Sequence, residues 1–194
     1  MLVNKGKKII LLQNPKTGGR FKAREKSNGF KEYLLQNYVE DGEVKKTVYP
    51  WHVTFHELKS WLGDDFKNWT IYVFVRNPYD RFVSSNNYKF KSTFGKTKAP
   101  TFDEMITEVE LHPEVITEHK DKHVWYLPQS YWIGSGVRVL RYESLDDWRI
   151  ICDLMGIYIS EVRIKPSYPL TDTQKSRIKA LYREDEQIFK MYGL

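Results

Sequence analysis

Apolar positions fall into two rhythms along this chain. Residues 8–13, Lys-Ile-Ile-Leu-Leu-Gln, form a short unbroken apolar run bounded by turn residues, as expected of a parallel strand buried on both faces. The clearest strand is 70–75, Thr-Ile-Tyr-Val-Phe-Val, which is β-branched and aromatic throughout. Residues 136–141 read as a third strand and 46–49 as a further short one. Between these runs the period changes to that of a helix. Helical spacing occupies 30–38, 54–62 until Gly63, and 79–90 with Pro78 in the first turn. It returns at 101–111, at 123–132 and at 145–155, where Gly156 closes the helix. Residues 171–192 read as one long amphipathic helix capped by Thr171, with Ile178, Leu181, Tyr182, Ile188 and Phe189 inward. A polar, Lys-rich loop is expected over 91–100. Strand–loop–helix units in this order predict one α/β domain over 1–194, with a central parallel sheet flanked by helices.

Composition narrows the setting without choosing a chemistry. The 194 residues are 41% hydrophobic and 29% charged, which is globular rather than disordered. A single cysteine, Cys152, excludes an intramolecular disulfide framework and favours a reducing compartment. No apolar run approaches the roughly 18 residues that span a bilayer, and the start is too short in apolar residues for a signal peptide. The net charge of +6 favours anionic partners: nucleic acid, membrane surface, nucleotides or acidic sugars.

Three segments carry candidate chemistry. Pro15-Lys16-Thr17-Gly18-Gly19 follows the first buried strand. Glycines admit close backbone approach to an oxyanion, Lys16 adds a mobile charge, and Thr17 adds a hydroxyl donor. The nucleotide-triphosphatase loop GxxxxGK[ST] is absent, and a plain strand-to-helix turn is the competing reading. Arg76 ends the strand 70–75 on the side where open α/β sheets bind ligands, and Ser84 lies eight residues on, inside the next helix. A guanidinium and a hydroxyl could converge there on one phosphate; the alternative for Arg76 is a structural salt bridge. Asp80 and Arg81, between them, read as charges on the helix surface. His52, in Pro50-Trp51-His52-Val53-Thr54-Phe55, offers a base near neutral pKa if it faces the pocket. His52 and His56 lack the HExxH pattern, and the isolated cysteine leaves no zinc constellation, so no metal site is expected.

Taken together, these segments resemble the sulfotransferases that use 3′-phosphoadenosine 5′-phosphosulfate, closest to the carbohydrate branch that includes the heparan-sulfate 2-O type. Residues 15–19 look like that family's 5′-phosphosulfate loop, PKTGG followed by Thr or Ser. Arg76-Asn-Pro-Tyr-Asp-Arg-Phe-Val-Ser84 looks like its 3′-phosphate motif, RxPxxRxxS, and His52-Val-Thr-Phe55 is similar to its catalytic-base segment. Weaker echoes stand at Pro128-Gln129-Ser130, Leu140-Arg-Tyr-Glu-Ser144 and Leu181-Tyr-Arg-Glu-Asp185. The resemblance implies a P-loop-like three-layer fold. It implies that Lys16 meets the bridging oxygen of the donor, while Thr17, Gly18 and Gly19 hold the 5′-phosphate. Arg76 and Ser84 would hold the 3′-phosphate, and His52 would deprotonate an acceptor hydroxyl, on a saccharide. The reaction needs no metal, and adenosine 3′,5′-bisphosphate is the product. Arg20 stands where the family has Thr or Ser, so a guanidinium could replace that hydroxyl contact. The family's Golgi members carry an N-terminal anchor with no counterpart here. The expected setting is therefore the cytoplasm of a bacterium or of a virus-infected host cell, or a trimmed catalytic domain.

Two other classes stay open on the residues alone. A small nucleotide-dependent phosphotransferase or kinase would explain the phosphate loop but not the spacing from Arg76 to Ser84. A basic nucleic-acid-binding module would explain +6, though the cations are dispersed, and no nucleic-acid partner is expected. For the acceptor, Lys89, Lys91, Lys96 and Lys98 could receive an anionic glycan or form a solvated loop. Trp51, Trp125, Tyr126, Tyr131 and Trp132 could stack on sugars or belong to the core.

Overall fold

The strands expected at 8–13, 70–75 and 136–141 all form, and they lie side by side. The computed structural model describes residues 1–4, 6–17, 38–40, 43–45, 52–96, 99–118, 123–156 and 167–192. Its strands are β1 (Leu2–Asn4), β2 (Ile9–Leu12), β3 (Tyr38–Glu40), β4 (Glu43–Lys45), β5 (Thr70–Val75) and β6 (Val137–Arg141). Its helices are α1 (Phe55–Leu62), α2 (Pro78–Phe94), α3 (Phe102–Leu111), α4 (Glu114–Thr117), α5 (Leu145–Met155), α6 (Asp172–Leu181) and α7 (Arg183–Met191). The described residues divide into two compact units. Met1–Val75 with Tyr131–Ile164 make the first, and Arg76–Ser130 with Lys165–Leu194 the second.

In the first unit the sheet order is β1-β2-β5-β6. β2, β5 and β6 are parallel, with Ile10 opposite Ile71 and Val73 opposite Val139. β1 pairs antiparallel with β2, Val3 facing Ile10, so the sheet is mixed rather than wholly parallel. Three residues are too few to display an alternation, which is why the sequence pattern does not announce β1. Every residue of β2 and all of β5 after Thr70 are buried, the state of strands covered on both faces. One face carries Ile9, Leu11, Tyr72, Phe74 and Leu140 into a cluster with Trp148, Ile151 and Met155 of α5. There the Trp148 ring stacks on Phe74 at 3.9 Å between centroids, and its Nε1–H donates to the Tyr142 carbonyl at 2.8 Å. Gly134 lies so close to the Phe55 ring that a Cβ would overlap it. Strands β3 and β4 form a separate antiparallel hairpin. Tyr38, expected to end a helix, starts β3; residues 30–37 and 46–49 lie outside the described residues.

The second unit is helical, with a core of its own built from Phe82, Val83 and Phe90 of α2, Ile106 and Val109 of α3, and Ile178 and Tyr182. Helix α2 continues through Phe94 to a left-handed Gly95, so residues 91–94 of the expected 91–100 loop are helix. Residues 123–132 do not form the expected helix. Turns lead to a 3-10 segment, Gln129–Trp132. Pro128 accounts for this, because it lacks an N–H and bars the helical region to the residue before it. The expected 171–192 helix is two, broken at Tyr182, whose backbone leaves the helical region with φ −118° and ψ 47°. Its side chain turns inward, and the hydroxyl donates to the Tyr126 carbonyl at 2.8 Å. No helix among the described residues is long and apolar enough to cross a membrane.

Candidate functional site

The loop leaving β2 is held by its own polar groups. Asn14 is buried, and its Nδ2–H donates to the Phe74 carbonyl in β5 at 3.1 Å, tying the loop to the neighbouring strand. Thr17 closes the turn: its Oγ1–H donates to the Asn14 carbonyl at 2.6 Å and its N–H reaches the same oxygen at 3.4 Å. The hydroxyl expected to donate to a phosphate is thus committed to shaping the turn. Lys16, half-buried at the tip, has φ of +67°, a left-handed conformation that costs a non-glycine residue about 1–2 kcal/mol. Gly18, Gly19 and Arg20 lie outside the described residues.

His52 comes to this loop from a distant part of the chain. Thr54 caps α1 in a reciprocal box with Glu57, and Val53 is buried. That anchoring sets His52 just ahead of the helix, with Nδ1 2.8 Å from the Gln13 carbonyl. A carbonyl oxygen can only accept, so Nδ1 carries the proton and, in the neutral ring, the lone pair sits on Nε2. The first unit therefore ties the His52 imidazole to the segment that leads, three residues on, into Lys16.

In the second unit, Arg76 is the residue following β5, and it is only 2% exposed. Asn77 caps α2 by accepting from the N–H groups of Tyr79 and Asp80, and Pro78 opens the helix. Ser84 is buried in the second turn of α2. Asp80 and Arg81 are not surface charges. Asp80, 5% exposed, accepts from Ser167 Oγ at 2.8 Å and from the Tyr168 N–H at 2.9 Å. Arg81, 2% exposed, donates to the Leu127 carbonyl at 2.7 Å and faces Asp185 at 3.8 Å. Charged side chains are buried this deeply only when partnered, and these partners come from remote segments.

Gln129 and Asp185, present in the sequence only as weak echoes, belong to the same cluster. Asp185 Oδ1 accepts from the Gln129 N–H at 2.5 Å. The Gln129 side chain accepts from the Arg76 N–H and donates to the Arg76 carbonyl, both at 2.9 Å. Burial dominates the electrostatics here. It pushes the Asp185 carboxyl up to about 6, against the opposing pull of Arg81 and of the Gln129 and Ser130 amides. It also draws the Arg81 guanidinium below its ordinary value, which Asp185 offsets only in part.

The basic and aromatic residues considered for an acceptor separate into several environments. Lys89 lies over the Trp125 ring at 4.2 Å and the Tyr88 ring at 4.9 Å, while Lys96 pairs with Glu108 at 2.8 Å. Tyr126 and Trp132 are fully buried core residues. Trp51 and Lys98 lie outside the described residues. Comparison of the chain with models of known protein families and with curated protein sequences finds no match to either.

Proposed function

We propose that the chain is a sulfotransferase of P-loop-like architecture. It would move a sulfuryl group from 3′-phosphoadenosine 5′-phosphosulfate to a hydroxyl acceptor of the saccharide class. The observation that carries this reading is the bond from His52 Nδ1 to the Gln13 carbonyl, which sets an imidazole base beside the segment leading to Lys16. The mixed α/β sheet, with both candidate motifs directly after parallel strands, is the setting in which such ligands bind.

On this reading each residue has one task. His52 Nε2 takes the proton of the acceptor hydroxyl as its oxygen attacks sulfur. The new O–S bond forms as the bond from sulfur to the bridging oxygen of the 5′-phosphate breaks. Lys16 neutralises the charge that collects on that leaving oxygen. Arg76 and Ser84 take the 3′-phosphate, with Arg offering the fork of donors that suits it. Catalysis is by positioning and charge stabilisation, as in phosphoryl transfer.

Calorimetric titration of the purified protein with adenosine 3′,5′-bisphosphate tests the donor assignment. Binding is expected, and its absence would overturn the reading. A second arm tests the base: His52→Ala is expected to bind the bisphosphate and lose transfer of labelled sulfate to a saccharide acceptor. Near-normal turnover in that variant removes His52 from its role.

A further inference from the structure

We propose that Gln129 is a positioning residue that aims Arg76 at the 3′-phosphate, an inference that rests on the assignment of Arg76 under the proposed function. The problem it solves is local. β5 ends at Val75, and its last pairing in the sheet is with Arg141. Arg76, one residue further, is buried, and its peptide N–H and C=O must find partners. A helix cannot supply both, because α2 begins only at Pro78, with Asn77 as its cap.

The Gln129 carboxamide supplies both at once. Its Oε1 accepts from the Arg76 N–H and its Nε2–H donates to the Arg76 C=O, each at 2.9 Å. A paired strand residue makes the same two-way exchange with its partner. Holding the N–H and the C=O of one residue fixes the peptide planes on both sides of it. That sets the direction of its Cα–Cβ bond and the origin from which the guanidinium reaches.

Gln129 is itself held. It is 0% exposed, and its own N–H is bonded to Asp185. Arg81, the charged neighbour of Asp185, is tied to the Leu127 carbonyl two residues before Gln129. Asn would be one methylene too short for the exchange, and Glu would keep only the half in which Arg76 donates. The motif residues Arg76 and Arg81 and the weakly marked Gln129 and Asp185 thus form one assembly, with Arg76 as the only member assigned to a ligand.

The test compares adenosine 3′,5′-bisphosphate with adenosine 5′-monophosphate by calorimetry, in wild type and in Gln129→Met, which keeps volume and loses both hydrogen bonds. A merely structural role would weaken both ligands alike. The inference expects the preference for the bisphosphate to fall by about tenfold, with the monophosphate little changed. Should Gln129→Met fail to fold by circular dichroism, Gln129→Glu, which keeps one of the two bonds, is expected to lose part of the preference. An unchanged preference in a folded variant, or equal weakening of both ligands, overturns the inference. Absence of any preference in the wild type instead overturns the assignment of Arg76, and the inference falls with it.

Discussion

Asp185 tests whether burial or attraction governs the charged cluster of the second unit. The carboxyl is fully buried, and burial raises it from 3.8 to about 6 although Arg81 lies 3.8 Å away. A carboxyl that titrates higher in the folded state than in the unfolded chain holds more protons when folded between those two values. Stability should therefore be greatest below that window and decline as pH rises through it. The gap between 3.8 and about 6 corresponds to on the order of 3 kcal/mol, at about 1.4 kcal/mol per pH unit. Asp185→Asn keeps an oxygen for the Gln129 amide and removes the titration. Urea unfolding of both proteins between about pH 4 and pH 7 isolates the effect, because other titrating groups cancel in the difference. Wild type minus variant should fall by on the order of 3 kcal/mol across that range, mostly below about pH 6. The constant offset also contains the loss of Arg81's partner, so the slope is the readout. A flat difference, or one that grows with pH, would show that Arg81 outweighs desolvation and would refute the reasoning.

Other expected outcomes concern single positions. Lys16→Gly should relieve the left-handed backbone and raise stability by about 1 kcal/mol, or about 2–4 °C in melting temperature, while abolishing sulfuryl transfer. A melting curve and a labelled-donor assay moving in opposite directions would show strain retained for a functional charge; loss of stability would show that the tip is not strained. Gly134→Ala should cost about 1–3 kcal/mol in urea unfolding, because the overlapped Phe55 ring is buried and has little room to withdraw. Trp148→Phe should cost about 3 kcal/mol, combining a cavity beside Phe74 with a Tyr142 carbonyl left without its indole donor; a loss under about 1 kcal/mol would mean the site collapses or hydrates freely.

The parts of the fold legible in the sequence are those decided by a residue's immediate neighbours. β2 and β5 announce themselves because strands covered on both faces need unbroken apolar runs. Thr54, Thr101 and Thr171 each open a helix through a reciprocal cap formed within four residues. What the pattern hides depends on distant partners. Tyr182 breaks a helix without Gly or Pro, because its hydroxyl is drawn to Tyr126 and Asp185 is drawn to Gln129. Asp80 and Arg81 look like surface charges until Tyr168 and Asp185 arrive from elsewhere in the chain. Among the candidate residues, Lys16, Thr17 and His52 of the first unit and Arg76 and Ser84 of the second stand out by residue type and spacing. Gln129 does not, since an amide that pairs with a backbone has no signature beyond being polar. The helix expected over 123–132 shows the converse error: apolar spacing was present, but Pro128 had already excluded it.

The division of the chain has a consequence for its synthesis. β5, one of the most apolar stretches, hydrogen-bonds β2 on one side and β6 on the other. β2 precedes it on the ribosome, but β6 follows only after residues 76–136 have been made. At ordinary elongation rates the β6 edge of β5 waits on the order of several seconds for its partner. During that interval a nascent chain displays Thr-Ile-Tyr-Val-Phe-Val as an open, uncharged strand edge, the kind that recruits other chains. The hazard for this protein in a crowded cell therefore lies in an incomplete sheet on the ribosome, and slowing translation beyond residue 75 should increase its aggregation.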